Sequence, residues 1–99
     1  MINESTTLRI KEGHAADFER AVARAVPLFQ QSTGALGFKL ERTLEDPLQY
    51  VLIVGWASVE AHTEGFRGSE AFASWRELVG GHFDTAPTVR HTAHVLTGF

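Results

Sequence analysis

The segment Leu48–Trp56, LQYVLIVGW, is apolar on both sides of an extended chain. Side chains on a strand alternate faces, so Tyr50, Leu52, Val54 and Trp56 share one face while Val51 and Ile53 share the other. A sheet covered by helices on one side normally turns polar residues to water on the other. A strand that is apolar on both faces therefore needs a second cover, and the simplest cover is another copy of the same chain.

The flanking segments are consistent with such a sheet. Residues 5–12, STTLRIKE, place Thr6, Leu8 and Ile10 on one face and Thr7, Arg9 and Lys11 on the other, the period of a half-buried strand. From His14 to Ser32 the residues Phe18, Val22, Val26 and Phe29 recur at helical spacing. Ala21 and Ala25 widen that stripe, Pro27 predicts a kink or break near Ala23 to Val26, and Gly34 stops the helix. Residues 35–45 alternate again, with Leu36, Phe38 and Leu40 on one face. Asp46-Pro47 supplies a turn into the third strand, so the second and third strands are expected to form a hairpin.

Beyond Trp56, Ser58 is a suitable N-cap for a short helix carrying Val59, Ala61 and His62. The glycines of GFRGS, residues 65–69, interrupt it and could serve as a hinge or lid over a pocket. Ser69 caps a further helix with Phe72, Trp75, Arg76 and Val79 at helical spacing, ended by Gly80-Gly81. The run TVRHTAHVLTGF, residues 88–99, reads as a last strand with Val89, His91, Ala93 and Val95 on one face. The order β-α-β-β-α-β is that of an α+β, ferredoxin-like domain spanning residues 1–99, with an antiparallel sheet and both helices on one side.

Composition narrows the function. A chain of 99 residues buries only about 60–65 % of its unfolded surface alone, so a partner surface would add stability. A net charge of −3 with its nine Lys and Arg scattered argues against a nucleic-acid partner, and no run approaches the ~20 apolar residues of a membrane span. The start MINESTTLRIKEG lacks the basic and apolar regions of a signal peptide, which predicts a cytoplasmic protein. The absence of cysteine excludes disulfides, thiolate metal sites and cysteine nucleophiles.

The strand ending at Trp56, the phrase ASVEAHTEGFRGSEAFASWRELV and the following PTVRHTAHV resemble the antibiotic biosynthesis monooxygenase family of the dimeric α+β barrel superfamily. The earlier part, LRIKEG through LIVGW, fits the same family. The resemblance implies a homodimer whose two sheets pack face to face, which would cover the second face of the third strand. It also implies a range of activities. Some members oxygenate aromatic compounds with O2 and no metal or flavin, some degrade haem, and some process quinones. For the haem-degrading branch, the positions of its Asn, Trp and His fall on Thr6, Gly65 and Trp75, none of which matches. A shifted placement would use Trp75 as wall and His82 as ligand, past Gly80-Gly81.

A cofactor-free oxygenase needs a base, an apolar cavity and aromatic walls. His62 and His91 are the candidate bases, and Trp75, Phe66, Phe72 and Phe38 the candidate walls; Arg67 is a candidate contact for an anionic group. Each has a plainer role: His91 as a satisfied core or interface histidine, His62 as a surface residue, the aromatics as core, Arg67 as the partner of a nearby acid. No metal site is expected. His91 and His94, three apart on a strand, point opposite ways, and no carboxylate pattern accompanies the remaining histidines. The expected ligand is a small aromatic or quinone-like molecule, and the alternative is a non-catalytic binding or scaffolding dimer of the same fold. The two separate on whether a titratable side chain points into an enclosed apolar pocket.

Overall fold

The computed structural model describes all 99 residues. The strands are β1 (Ile2–Arg9), β2 (Ala35–Arg42), β3 (Gln49–Trp56) and β4 (Thr88–Thr92), and the principal helices are α1 (Ala15–Gln30) and α2 (Glu70–Val79). A π-helical turn, Ala61–Phe66, precedes α2, and a 3-10 turn, Gly80–His82, follows it. The sheet order is β2-β3-β1-β4 with every neighbouring pair antiparallel. This is the ferredoxin-like β-α-β-β-α-β arrangement, with α1 and α2 on one face of an open sheet.

Register sets which side chains reach the helices. Thr6 lies opposite Leu52 and Leu8 opposite Tyr50, while Glu4 lies opposite Val54 on β3 and opposite His91 on β4. Leu8, Tyr50, Leu52, Val54 and Trp56 are buried on that face against Phe18, Val22, Ala25 and Phe29 of α1. Full burial of a side chain such as Phe29 contributes about 1.5–3 kcal/mol. Val51 and Ile53 point to the opposite face, where no helix covers them, and both are half-buried.

Several sequence expectations change in detail. β1 begins three residues earlier than expected, which brings Glu4 onto the buried face with Thr6 and Leu8. α1 runs unbroken through Pro27 to Gln30, because the proline lies in the last turn on the exposed side, where water can serve the carbonyl left without a partner. In β2 a register shift between Ala35 and Gly37 swings Leu36 outward, leaving it 58 % exposed rather than beside Phe38. β4 ends at Thr92, so Ala93 and Val95 do not extend its inner face, and Ala93–Phe99 are exposed outside the sheet.

Two turns position the second half of the chain. Gly34, at φ +85°, lets the chain reverse between α1 and β2, and its carbonyl accepts the Ala57 N–H at 2.8 Å. At the other end His14 Nδ1 lies 3.0 Å from His82 Nδ1, tying the start of α1 to the turn after α2.

Candidate functional site

The segment that carries His62 is shaped by the Ser58 cap at its start and by Gly68 where it closes. Ser58 Oγ accepts the Ala61 N–H at 3.1 Å, and the backbone then winds more widely than an α-helix, with the Arg67 N–H reaching back five residues to the His62 carbonyl at 3.0 Å. A Cβ on Gly68 would stand 2.6 Å from the Glu64 carbonyl oxygen, so this turn requires glycine where it closes. Ser69 then caps α2, its Oγ accepting the Phe72 N–H at 3.4 Å. The wide turn directs His62 inward, and its ring is only 3 % exposed.

Four side chains meet around it. His62 Nε2 is 3.2 Å from Glu4 Oε1, and the Trp56 indole N–H donates to the same oxygen at 3.1 Å. The Thr6 hydroxyl donates to Glu4 Oε2 at 2.6 Å. On its other side, His62 Nδ1 lies 2.8 Å from His91 Nε2. His62 also lies almost flat on Trp56. Every buried side-chain polar atom of the protein has a hydrogen-bond partner. Burial pushes the His62 imidazole below its usual range; the Glu4 carboxyl opposes this, and the charges of Arg67 and His91 add to it. A neutral imidazole at this position accepts or relays a proton at neutral pH.

A cavity of about 1060 Å³ opens from this cluster between sheet and helices. Phe29, Phe66, Phe72 and Trp75 form aromatic walls, with Glu4, Thr6 and His62 supplying polar groups. The rings interlock: Phe66 stacks on Phe29 with centroids 4.5 Å apart, and Trp75 meets Phe29 edge-on at 5.0 Å. Arg67 and Arg76 also line the cavity, both exposed and neither within ion-pair distance of a carboxylate.

The candidates named from sequence thus separate. His62, Phe66, Arg67, Phe72 and Trp75 line one cavity. His91 is exposed on β4 and does not line it, but is bonded to His62. Phe38 lies elsewhere, packed on Phe29 at 4.8 Å and lining smaller clefts beside β2. No three His, Asp or Glu side chains converge as a metal-binding group, and His94 pairs with Thr97 outside the sheet. Sequence reasoning overlooked Glu4 and the polar role of Trp56. The signal was present, because the two-residue period through Thr6, Leu8 and Ile10 extends back to Glu4.

A four-stranded antiparallel α+β sheet holding an aromatic cavity over a buried acid and imidazole defines the class. Within it, residues 1–78 match the antibiotic biosynthesis monooxygenase family model. The chain belongs to that family. It is 37 % identical over 91 residues, 92 % of this chain and 96 % of the relative, to YczJ, an uncharacterized protein of Bacillus subtilis (strain 168). A crystal structure from Bordetella bronchiseptica, assigned by name to the same family, superposes with a TM-score of 0.95 at 42 % identity, covering 96 % of this chain and 97 % of that one. SnoaB, a cofactor-independent oxygenase from Streptomyces nogalater, shares the fold with a TM-score of 0.82 at 18 % identity, over 98 % of this chain and 95 % of its own.

Proposed function

We propose that this protein is a cofactor-independent oxygenase of a small aromatic or quinone-like compound, acting as a homodimer. The observation that carries the reading is His62, a buried imidazole facing a cavity walled by Phe29, Phe66, Phe72 and Trp75. Those walls hold a planar ring, and His62 with His91 supplies the acid–base function.

An electron-rich ring with an acidic CH2 provides all the electrons the reaction needs. Loss of one C–H proton to the base gives a carbanion, which passes one electron to O2. The resulting radical and superoxide combine into a peroxide anion. That anion takes back the proton and expels water, so that CH2 + O2 becomes C=O + H2O. Water exclusion by the aromatic walls protects the carbanion from simple reprotonation.

The homodimer reading is supported by Val51 and Ile53, half-buried on the sheet face that no helix covers. Sedimentation is expected to give a species of twice the 10.9 kDa chain mass, and a stable monomer at micromolar concentration would overturn this part.

Oxygen uptake with a panel of anthrones and hydroquinones tests the activity. Wild-type protein is expected to consume O2 with at least one of them, and His62→Ala to fall by about 10²-fold or more. Ring compounds that bind without oxygen uptake would favour the non-catalytic alternative.

A further inference from the structure

The polar contacts of the buried cluster point to where its protons sit. Glu4 Oε1 accepts from the Trp56 N–H, a group that only donates, and Glu4 Oε2 accepts from the Thr6 hydroxyl. His62 Nε2 stands at ion-pair distance, 3.2 Å, from that same Oε1; with Glu4 as the carboxylate, a bare Nε2 lone pair would face an oxygen, so the proton is placed on Nε2. A neutral His62 then presents a bare Nδ1, and His91 Nε2, 2.8 Å away, must be the donor to it. His91 Nδ1 is left as the basic nitrogen of the trio that neither of these bonds occupies.

We infer that His91 Nδ1, at the outer end of the Glu4–His62–His91 chain, is the proton-accepting atom of the site, and that Glu4 is the positioning residue that makes it so by fixing the tautomer of His62. This deepens the oxygenase reading above and rests on it for the identity of the proton taken. His91 sits two residues from Val89 on the same face of β4, and Val89 lines the cavity, which puts the exposed ring beside the cavity rather than in its wall.

Proton transfer along this chain balances. The substrate C–H or O–H bond breaks and, directly or through one bridging water, an N–H bond forms at His91 Nδ1. The proton on His91 Nε2 moves across the 2.8 Å contact to His62 Nδ1. His91 ends neutral, and the added charge rests on His62 as an imidazolium beside the Glu4 carboxylate. The groups facing His62 divide in sign: Glu4 from β1 favours the charge, while Arg67 from the wide turn and His91 from β4 oppose it. The logic is that of a catalytic triad, with a second imidazole in the place of the nucleophile.

Long-range 1H–15N correlation of the imidazoles tests this without reference to turnover. Wild-type protein at mildly alkaline pH is expected to show His62 and His91 both as Nε2–H tautomers, and His91→Gln is expected to leave the His62 tautomer unchanged, since Glu4 holds it. A wild-type His62 carrying its proton on Nδ1 would overturn the inference, and that measurement needs no variant that might misfold. In the oxygen-uptake assay Glu4→Gln and His91→Ala are each expected to lower turnover by about 10²-fold or more and to alter its pH profile. Full activity in His91→Ala would overturn His91 as the base. Expected tautomers without oxygen uptake on any substrate would overturn the oxygenase reading, and with it His91 as its base, while leaving Glu4 as the group that fixes the His62 tautomer.

Discussion

The His62 ring lies nearly parallel to the Trp56 indole, 14° between planes and 5.4 Å between centroids, while the same indole donates its N–H to Glu4 at 3.1 Å. One side chain thus supports the imidazole from below and orients the acid beside it. Trp56→Phe keeps an aromatic surface but removes the donor, leaving a buried acceptor with one partner fewer. The expected cost is about 1–3 kcal/mol, read as a lower urea midpoint. An unchanged midpoint would mean that the indole N–H contributes nothing to holding Glu4.

Acid should weaken the fold through His62. Burial lowers its folded-state pKa below the ordinary imidazole value, so the unfolded chain binds the proton more readily. The stability it confers is present above the ordinary value of about 6.5 and is lost as pH falls from there toward the lowered one. Thermal melts at stepped pH should show this loss, and His62→Gln should flatten that part of the curve. Identical slopes for both proteins would assign the acid sensitivity to other groups.

Tyr50 should mark the alkaline side. Its hydroxyl is pushed up to about 12, by burial first and by its bond to Glu19 second. Because it is the protein's one tyrosine, ultraviolet titration reports on it alone. A raised pKa stabilises the fold below the ordinary value of about 10, and that contribution fades as pH climbs toward 12. Tyr50→Phe should abolish the titration and cost about 0.5–1.5 kcal/mol at neutral pH. Ionisation of the folded protein near pH 10 would show that the Tyr50 hydroxyl is neither buried nor held by Glu19 as described.

Glycines in the turns should differ sharply in tolerance. Gly34→Ala forces a side chain into a left-handed conformation and within 2.9 Å of the Ala61 Cβ, and Gly68→Ala meets a backbone carbonyl at 2.6 Å. Each is expected to cost about 1–3 kcal/mol. Gly81→Ala meets nothing within 4 Å and should lie within about 0.5 kcal/mol of wild type. Equal stability of all three variants would show that the turn around His62 relaxes freely.

The fold was legible in the sequence because its signals are periodic: the apolar stripe of α1, the two faces of β3 and the caps at Ser58 and Ser69 all correspond to observed elements. The site was legible only in part. His62, Phe66, Phe72 and Trp75 could be named because apolar and imidazole side chains near glycines suggest a pocket. Glu4 was signalled only by the two-residue period running back from Thr6: a carboxylate at the start of a strand otherwise reads as a solvated end, and the convergence of Trp56, Thr6 and His62 is what explains its burial. Leu36 and Val95 misled for the opposite reason. Alternation continued in the letters, while a bulge and a strand end removed both residues from the sheet's inner face.

β4 is five residues long, lies at the sheet's edge and pairs only with β1, yet it carries His91. Edge strands detach with less free energy than global unfolding requires. Fraying of Thr88–Thr92 would sever the link to His62 while Phe18, Phe29, Tyr50 and Trp56 stay packed, so the acid–base function proposed for the pair would melt before the molecule does.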